Sequence, residues 1–260
     1  AEVVKLLGFK PVFVDVDPDT FHLDVEQVEE NINENTKAIV PVHLFGQCAD
    51  MDPILELASR HGIRVLEDTA QAFGSEYYSS SGETKRGGAM GDIGCTSFFP
   101  SKNLGCYGDG GALFTNDDEL AEKIRIVRNH GMSSQYKYTH IGVNSRLDTI
   151  QAAVLRIKLR KLDHYNESRR TAADFYDNEF KSIDWLQTPV RSERSKHIFH
   201  QYTLKVLNGK RDELMNHLTE KEIPCKVYYP DGLHEHAIYS NEKKGKKGLR
   251  VSLGLKDIVL

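Results

Sequence analysis

The run SFFPSKNLGCYGDGG, Ser97 to Gly111, sets a single lysine between an apolar, aromatic stretch and a cluster of glycines. Lysine is among the residues least often buried, so Lys102 in such a place suits an amine held at the mouth of a pocket for chemistry. The plainer reading is a surface lysine on a turn. A lysine amine forms a Schiff base with a carbonyl group when a partly desolvated, electropositive pocket depresses its pKa. Phe98, Phe99 and Pro100 would supply the desolvating wall, and the glycines let backbone come close to a flat ring. Ser97 and Ser101 offer hydroxyls to a phosphate. Upstream, the apolar run in RVLEDTAQAFGS ends in Glu67 and Asp68. An acid there is ordinarily a cap or a structural acceptor. In open α/β sheets, however, the carboxyl ends of strands are where ligands sit, and a carboxylate can hold a ring nitrogen protonated. Acid at a strand end, then serine and lysine among aromatic residues, is a pattern suited to pyridoxal phosphate, whose protonated ring acts as an electron sink.

Such residues need a sheet to hold them, and the first two-thirds of the chain reads as one. Pro11 to Val16, Lys37 to Phe45 and Ile63 to Ala70 read as strands, and GCTSFF and GGALFT as two more. LDVEQVEENIN and DMDPILELASRHG read as helices, the second closed by Gly62. Strands apolar on both faces that alternate with helices predict an α/β fold with a mainly parallel sheet covered on both sides. Asn116, with Glu119 three residues on, reads as the start of the next helix. Leu147, Ile150, Val154, Ile157, Leu162 and Tyr165 then trace one long amphipathic helix, with a single step of five where Lys161 intervenes. FHQYTLKVL, RDELMNHLTEKE and PCKVYYP predict a small α+β unit, giving a division into residues 1–163 and 164–260.

Composition bounds the function. Of 260 residues, 39% are hydrophobic and 28% charged, an ordinary mixture for a globular protein. A formal net charge of −4 gives no electrostatic reason to expect nucleic acid or an acidic membrane as partner. No apolar run reaches the length of a bilayer span. Cys48, Cys95, Cys106 and Cys225 form no CxxC pair, which argues against a zinc site and fits a reducing cytoplasm. Asp15, Asp17, Asp19 and Glu26 fall at calcium-loop spacing, yet Thr20 stands where the loop's sharp turn needs glycine and a strand precedes it. A turn leading into a helix is the better reading, and no metal is expected. The opening AEVVKLLG reads as the last turns of a helix already under way, so the expectation is a natural protein that begins earlier.

The ordered segments PVFVDVDPDTFHLD, AIVPVHLFGQ, VLEDTAQAFGS, GDIGCTSFFPSKNLGCYGDGGALFTND, RNHGM and IGVNSRLDTIQAAVLRIKL resemble the DegT/DnrJ/EryC1/StrS family of sugar aminotransferases. The likeness runs almost continuously from Pro11 to Leu159 and more loosely to about Tyr239. It implies a fold-type-I transferase dependent on pyridoxal 5'-phosphate, which moves an amino group from an amino acid, with glutamate the expected donor, to a keto group of a nucleotide-linked sugar. HIGVNSRLDTIQAA is nearest to relatives acting on 3-keto UDP-sugars, uronic acids included. By the same resemblance Lys102 is the residue that carries the cofactor covalently and moves protons. Asp68 pairs with the ring nitrogen, Gln71 binds near the 3-hydroxyl, Ser97 contacts the phosphate and His43 faces the site. Asn144 matches an asparagine that reaches the phosphate of a neighbouring subunit's cofactor, which implies a homodimer with shared active sites. Arg146 falls where some relatives bind a substrate carboxylate, and His200, Tyr229 and His234 lie in segments that border the nucleotide-sugar site. The family's Gly-Thr/Ser phosphate turn and its ring-stacking aromatic residue precede the position where this chain starts, and KKGLRVSLGLKDIVL departs from the usual closing pattern. Two alternatives stand beside this reading. A pyridoxamine-dependent sugar dehydratase would carry histidine where this chain has Lys102. A non-catalytic or regulatory protein would use the same scaffold.

Overall fold

A computed structural model describes residues 1–260, which divide into two compact units. Residues 37–169 and 193–200 make one; residues 1–36, 170–192 and 201–260 make the other. Residues 1–36 therefore group with the C-terminal part, whereas the sequence division kept 1–163 together, and the chain passes between units inside one helix.

The first unit is built on a four-stranded sheet with the order β2 (Ala38–Ile39), β3 (Arg64–Asp68), β6 (Ile93–Ser97), β7 (Gly111–Phe114). β2, β3 and β6 are parallel, as their apolar runs predict, and β7 is antiparallel to β6. β2 is much shorter than the predicted Lys37–Phe45 strand. Pro41 lacks an N–H for the ladder, and pairing resumes only as a single bridge between Val42 and Asp68. α3 (Met51–His61) is the crossover between β2 and β3. It buries Met51, Ile54, Leu57 and Ala58, the i, i+3, i+6, i+7 face of a helix, and ends at Gly62, whose φ of 63° is left-handed. A three-stranded antiparallel sheet joins β11 (Ser195–Lys196), β4 (Glu76–Tyr78) and β5 (Thr84–Arg86). β8 (Met132–Ser134) and β9 (Lys137–Tyr138) form a hairpin.

Two helical readings need correction. α4 (Asp118–Arg128) is capped by Asp117, not Asn116, because the Asp117 carboxylate accepts from the N–H groups of Glu119 and Leu120. Glu119 then lies in the first turn, so no capping box forms. The long helix is two: α5 (Thr149–Leu159) and α6 (Leu162–Phe180), broken at the five-residue step. Nor does the predicted apolar stripe all turn inward. Leu155 and Leu162 pack with Phe98, Leu104 and Cys106, while Ile150 and Ile157 stay 75% and 70% exposed.

The second unit holds α1 (Glu2–Leu6), β1 (Val12–Phe13), α2 (Val25–Asn31), β10 (Leu186–Gln187), β12 (Lys205–Val206), α7 (Arg211–Glu220), β13 (Lys243–Lys244) and α8 (Arg250–Leu255). β1 pairs in parallel with β13, and β10 pairs with β12. In the DVDPDT turn Asp17 accepts from the N–H groups of Asp19 and Thr20, and Asp15 accepts from the N–H groups of Val251 and Ser252 at the start of α8. These carboxylates thus serve backbone, as the turn reading requires. No helix is long and apolar enough to cross a membrane.

Candidate active site

β3 and β6 run side by side with Asp68 opposite Cys95, so Asp68, Cys95 and, two residues on, Ser97 share one face at the carboxyl end of the sheet. The chain leaving β6 turns back at once. Lys102 N–H donates to Phe99 O, and Cys106 N–H donates to Phe98 O. Gly105 permits this turn: a Cβ there would lie 2.5 Å from Pro100 O. The turn rests on the cluster of Phe98, Leu104, Cys106, Leu155 and Leu162. Phe98 is buried, but Phe99 is 51% exposed, so the predicted wall of Phe98, Phe99 and Pro100 is only partly inside. Lys102 is half-buried, and burial lowers its pKa, while the Asp68 carboxylate is near enough to oppose that fall. Burial, then the charges of Asp68 and Glu67, pushes the Cys95 thiol up to about 11, so it stays protonated between Asp68 and Ser97.

Strand alternation separates the two acids. Glu67 is fully buried on the opposite face from Asp68 and accepts from the N–H groups of Gly88, Met90 and Gly91. His43 is equally buried, its Nε2 lying 2.8 Å from Glu67 while its Nδ1 accepts from Ala49 N–H. A ring that accepts at Nδ1 donates at Nε2, so His43 spends both nitrogens on the protein and presents neither to a ligand. It braces the site: His43 N–H donates to Asp68 O, and Asp68 N–H donates to Pro41 O. Burial by itself raises the Glu67 carboxyl, but the His43 hydrogen bond and the N–H groups of Gly91 and Gly88 hold it below its ordinary value. Gln71 lies in the turn after β3, where its Oε1 accepts from Phe45 N–H at 2.7 Å. Phe45 holds that N–H in place from a left-handed backbone, φ 58°. Ser97 Oγ accepts from Phe99 N–H, which leaves its hydroxyl proton to donate.

His200 lies in the same unit, with Nδ1 3.1 Å from Asn103 Oδ1. Burial, then the charges of Lys102 and Arg169, takes its pKa down to about 4. Asn144 and Arg146 pair with one another on the exposed segment before α5, Arg146 Nε donating to Asn144 Oδ1 at 3.0 Å. Tyr229 and His234 belong to the other unit. There the Tyr229 ring packs edge-on against Tyr228, and His234 is buried with its pKa lowered by that burial and by Lys244. Sequence reasoning overlooked Asn103 and the pairing of Glu67 with His43. The signal for the first was a polar residue locked between Lys102 and an apolar Leu-Gly. For the second it was the alternation within Val65-Leu66-Glu67-Asp68, which puts only one of the acids on the site face. The donor set fits pyridoxal phosphate: a carboxylate for a ring nitrogen, a desolvated amine for an aldehyde and a hydroxyl for a phosphate oxygen.

The chain is 48% identical over 236 residues to a "Pleiotropic regulatory protein" of Geobacillus stearothermophilus, covering 90% of this chain and 62% of that protein. It is 45% identical over 243 residues to the UDP-2-acetamido-2-deoxy-3-oxo-D-glucuronate aminotransferase of Pseudomonas aeruginosa, covering 94% of this chain and 66% of that one. The chain thus spans a little under two-thirds of the length of these relatives. Among solved structures, a DegT DnrJ EryC1 StrS aminotransferase from Brucella abortus superposes with a TM-score of 0.93 at 42% identity, covering all of this chain and 69% of that one. DesV of S. venezuelae, solved in complex with a ketimine intermediate, gives 0.92 at 39% identity, covering 99% of this chain and 68% of that one. The expected α/β transferase fold is the one found. Since the family model itself matches residues 1–255, nearly the whole chain, this protein belongs to the DegT/DnrJ/EryC1/StrS aminotransferase family.

Proposed function

We propose that this chain is the greater part of a cytoplasmic, pyridoxal-phosphate-dependent aminotransferase that moves an amino group from an amino acid, glutamate, to the keto group of a nucleotide-linked sugar. The observation that carries it is a half-buried lysine of lowered pKa that feels the charge of an aspartate at the carboxyl end of a parallel strand. The cofactor, when bound, supplies an aldehyde for the amine and a protonated ring that takes up the electron pair of the broken C–H bond. Lys102 would hold the cofactor, and its amine would take and return the proton at the donor's α-carbon. Its lowered pKa keeps more of the amine in the neutral form that a base needs. Asp68 holds the ring nitrogen protonated. Gln71 would bind near the ring oxygen, and the Ser97 hydroxyl would donate to the phosphate. A 3-keto UDP-sugar is the preferred acceptor, since the Pseudomonas aeruginosa relative is named for a UDP-3-oxo-glucuronate and Arg146 offers a guanidinium to a carboxylate. Asn144 would serve the cofactor of a second subunit in a homodimer. His200 and Tyr229 are proposed on the sugar side. His234, buried in the other unit, is proposed as a substrate-side residue as well.

The test is amino transfer itself. Glutamate and a 3-keto UDP-sugar, mixed with the chain and pyridoxal phosphate, should yield 2-oxoglutarate and an amino-sugar nucleotide, with none from Lys102→Ala. The second reading, a regulatory protein on this scaffold, is favoured by the name of the Geobacillus relative. It is the reading to adopt if cofactor binds without transfer to any keto sugar.

A further inference from the structure

We infer that Asn103 is a positioning residue that fixes the tautomer of His200, with the proton on Nδ1 and the lone pair on Nε2. Asn103 is buried, 8% exposed, and directly follows Lys102. Its Nδ2 donates to Asn166 Oδ1 at 2.8 Å and reaches Ile198 O at 3.4 Å. Both of those partners are acceptors, so turning the amide over would set oxygen against oxygen twice. Asn166 is oriented in the same sense, its Nδ2 directed at Phe73 O at 3.5 Å. The network therefore runs one way, from His200 through Asn103 to Asn166, and ends on backbone carbonyls. Asn103 Oδ1 can only accept, and the atom it accepts from is His200 Nδ1, 3.1 Å away.

The backbone of His200 is held as firmly as its ring. Arg169 Nη1 donates to Phe199 O and His200 O at 3.1 and 3.2 Å. Gly46 lets the chain pass close, since a Cβ there would lie 2.8 Å from His200 N. The charged groups facing the ring are Lys102, from the turn after β6, and Arg169, on α6. Both are cations and the ring is largely buried, so each disfavours a second proton. His200 consequently offers an acceptor and no free donor at Nε2. It takes a hydroxyl or an ammonium and turns away a carboxylate or phosphate. That selectivity is a property of the chain's own network, separate from the cofactor reading and not dependent on it.

Nitrogen-detected histidine NMR on the full chain tests this without turnover, with His200→Gln assigning the signal. The expected spectrum at neutral pH has a protonated Nδ1 and an unprotonated Nε2 at His200. In Asn103→Asp a carboxylate replaces the amide oxygen, and the His200 titration should move up by roughly one pH unit or more. In Asn103→Ala the two tautomers should mix. A proton on Nε2 in the unsubstituted chain would overturn the inference, and so would a titration unchanged by Asn103→Asp. The first measurement needs no variant of Asn103, so a poorly folded variant does not shield the proposal.

Discussion

At Lys102 three influences meet: burial that lowers the amine pKa, the Asp68 carboxylate that opposes this, and a turn that fixes the backbone from which the side chain leaves. Behind them, Glu67 and His43 form a fully buried pair that fastens the loop of residues 88–91 to the end of β3. The folded pKa of Glu67 lies below its ordinary 4.5, so its stabilising contribution is complete above that pH and is lost as pH falls through the lowered value. Thermal unfolding followed from pH 6 down to about pH 3 should show this loss in the native chain, and a flatter profile in Glu67→Gln. The substitution should also cost about 1–3 kcal/mol at neutral pH, because buried N–H groups lose a charged acceptor; denaturant titration reads that directly. Lys102 and Asp68 were legible in sequence because their chemistry is carried by residue type and a local motif. Asn103 and the pairing of His43 with Glu67 were not, since Asn103's partners Asn166 and Ile198 lie 63 and 95 residues away in the chain and Glu67 lies 24 from His43.

Elements place these residues through a few local decisions. Gly105 is one: it lets the turn carrying Lys102 fold back against Pro100 O. Gly105→Ala should open that turn, so a lowered melting temperature and loss of cofactor attachment should appear together. The cap of α4 is another. Asp117→Ala should destabilise by about 1 kcal/mol in urea, whereas Asn116→Ala should change little. The sequence showed that a cap stood near residue 116, but two adjacent capping types left the choice to backbone geometry: Asp117 is extended and its carboxylate meets two N–H groups. The break between α5 and α6 was visible as a step of five residues at Lys161. The direction of β7 was not visible, because an apolar run reads the same in a parallel and an antiparallel strand.

At the scale of the whole molecule, the outward face of α5 is the clearest unfinished surface. Ile150 and Ile157, two turns apart, lie open to solvent, and Ile141 on the preceding segment is 97% exposed. Exposed apolar patches mark interaction surfaces, and we propose a second copy of this chain as the occupant. Sedimentation should show a dimer at micromolar concentration, and Ile150→Glu with Ile157→Glu should shift it to monomer while circular dichroism is kept. The fold class was legible because alternating apolar strands and helices encode it. The grouping of residues 1–36 with the C-terminal part was not, because pairings such as Val12 with Lys243 leave no local mark. The central claim is that Lys102 carries the cofactor, and borohydride trapping tests it most directly. Reduction of the chain mixed with pyridoxal phosphate should fix the visible absorbance band and leave the cofactor's mass on the peptide containing Lys102, with no label in Lys102→Ala. A label on another lysine, or one that survives Lys102→Ala, would contradict the account.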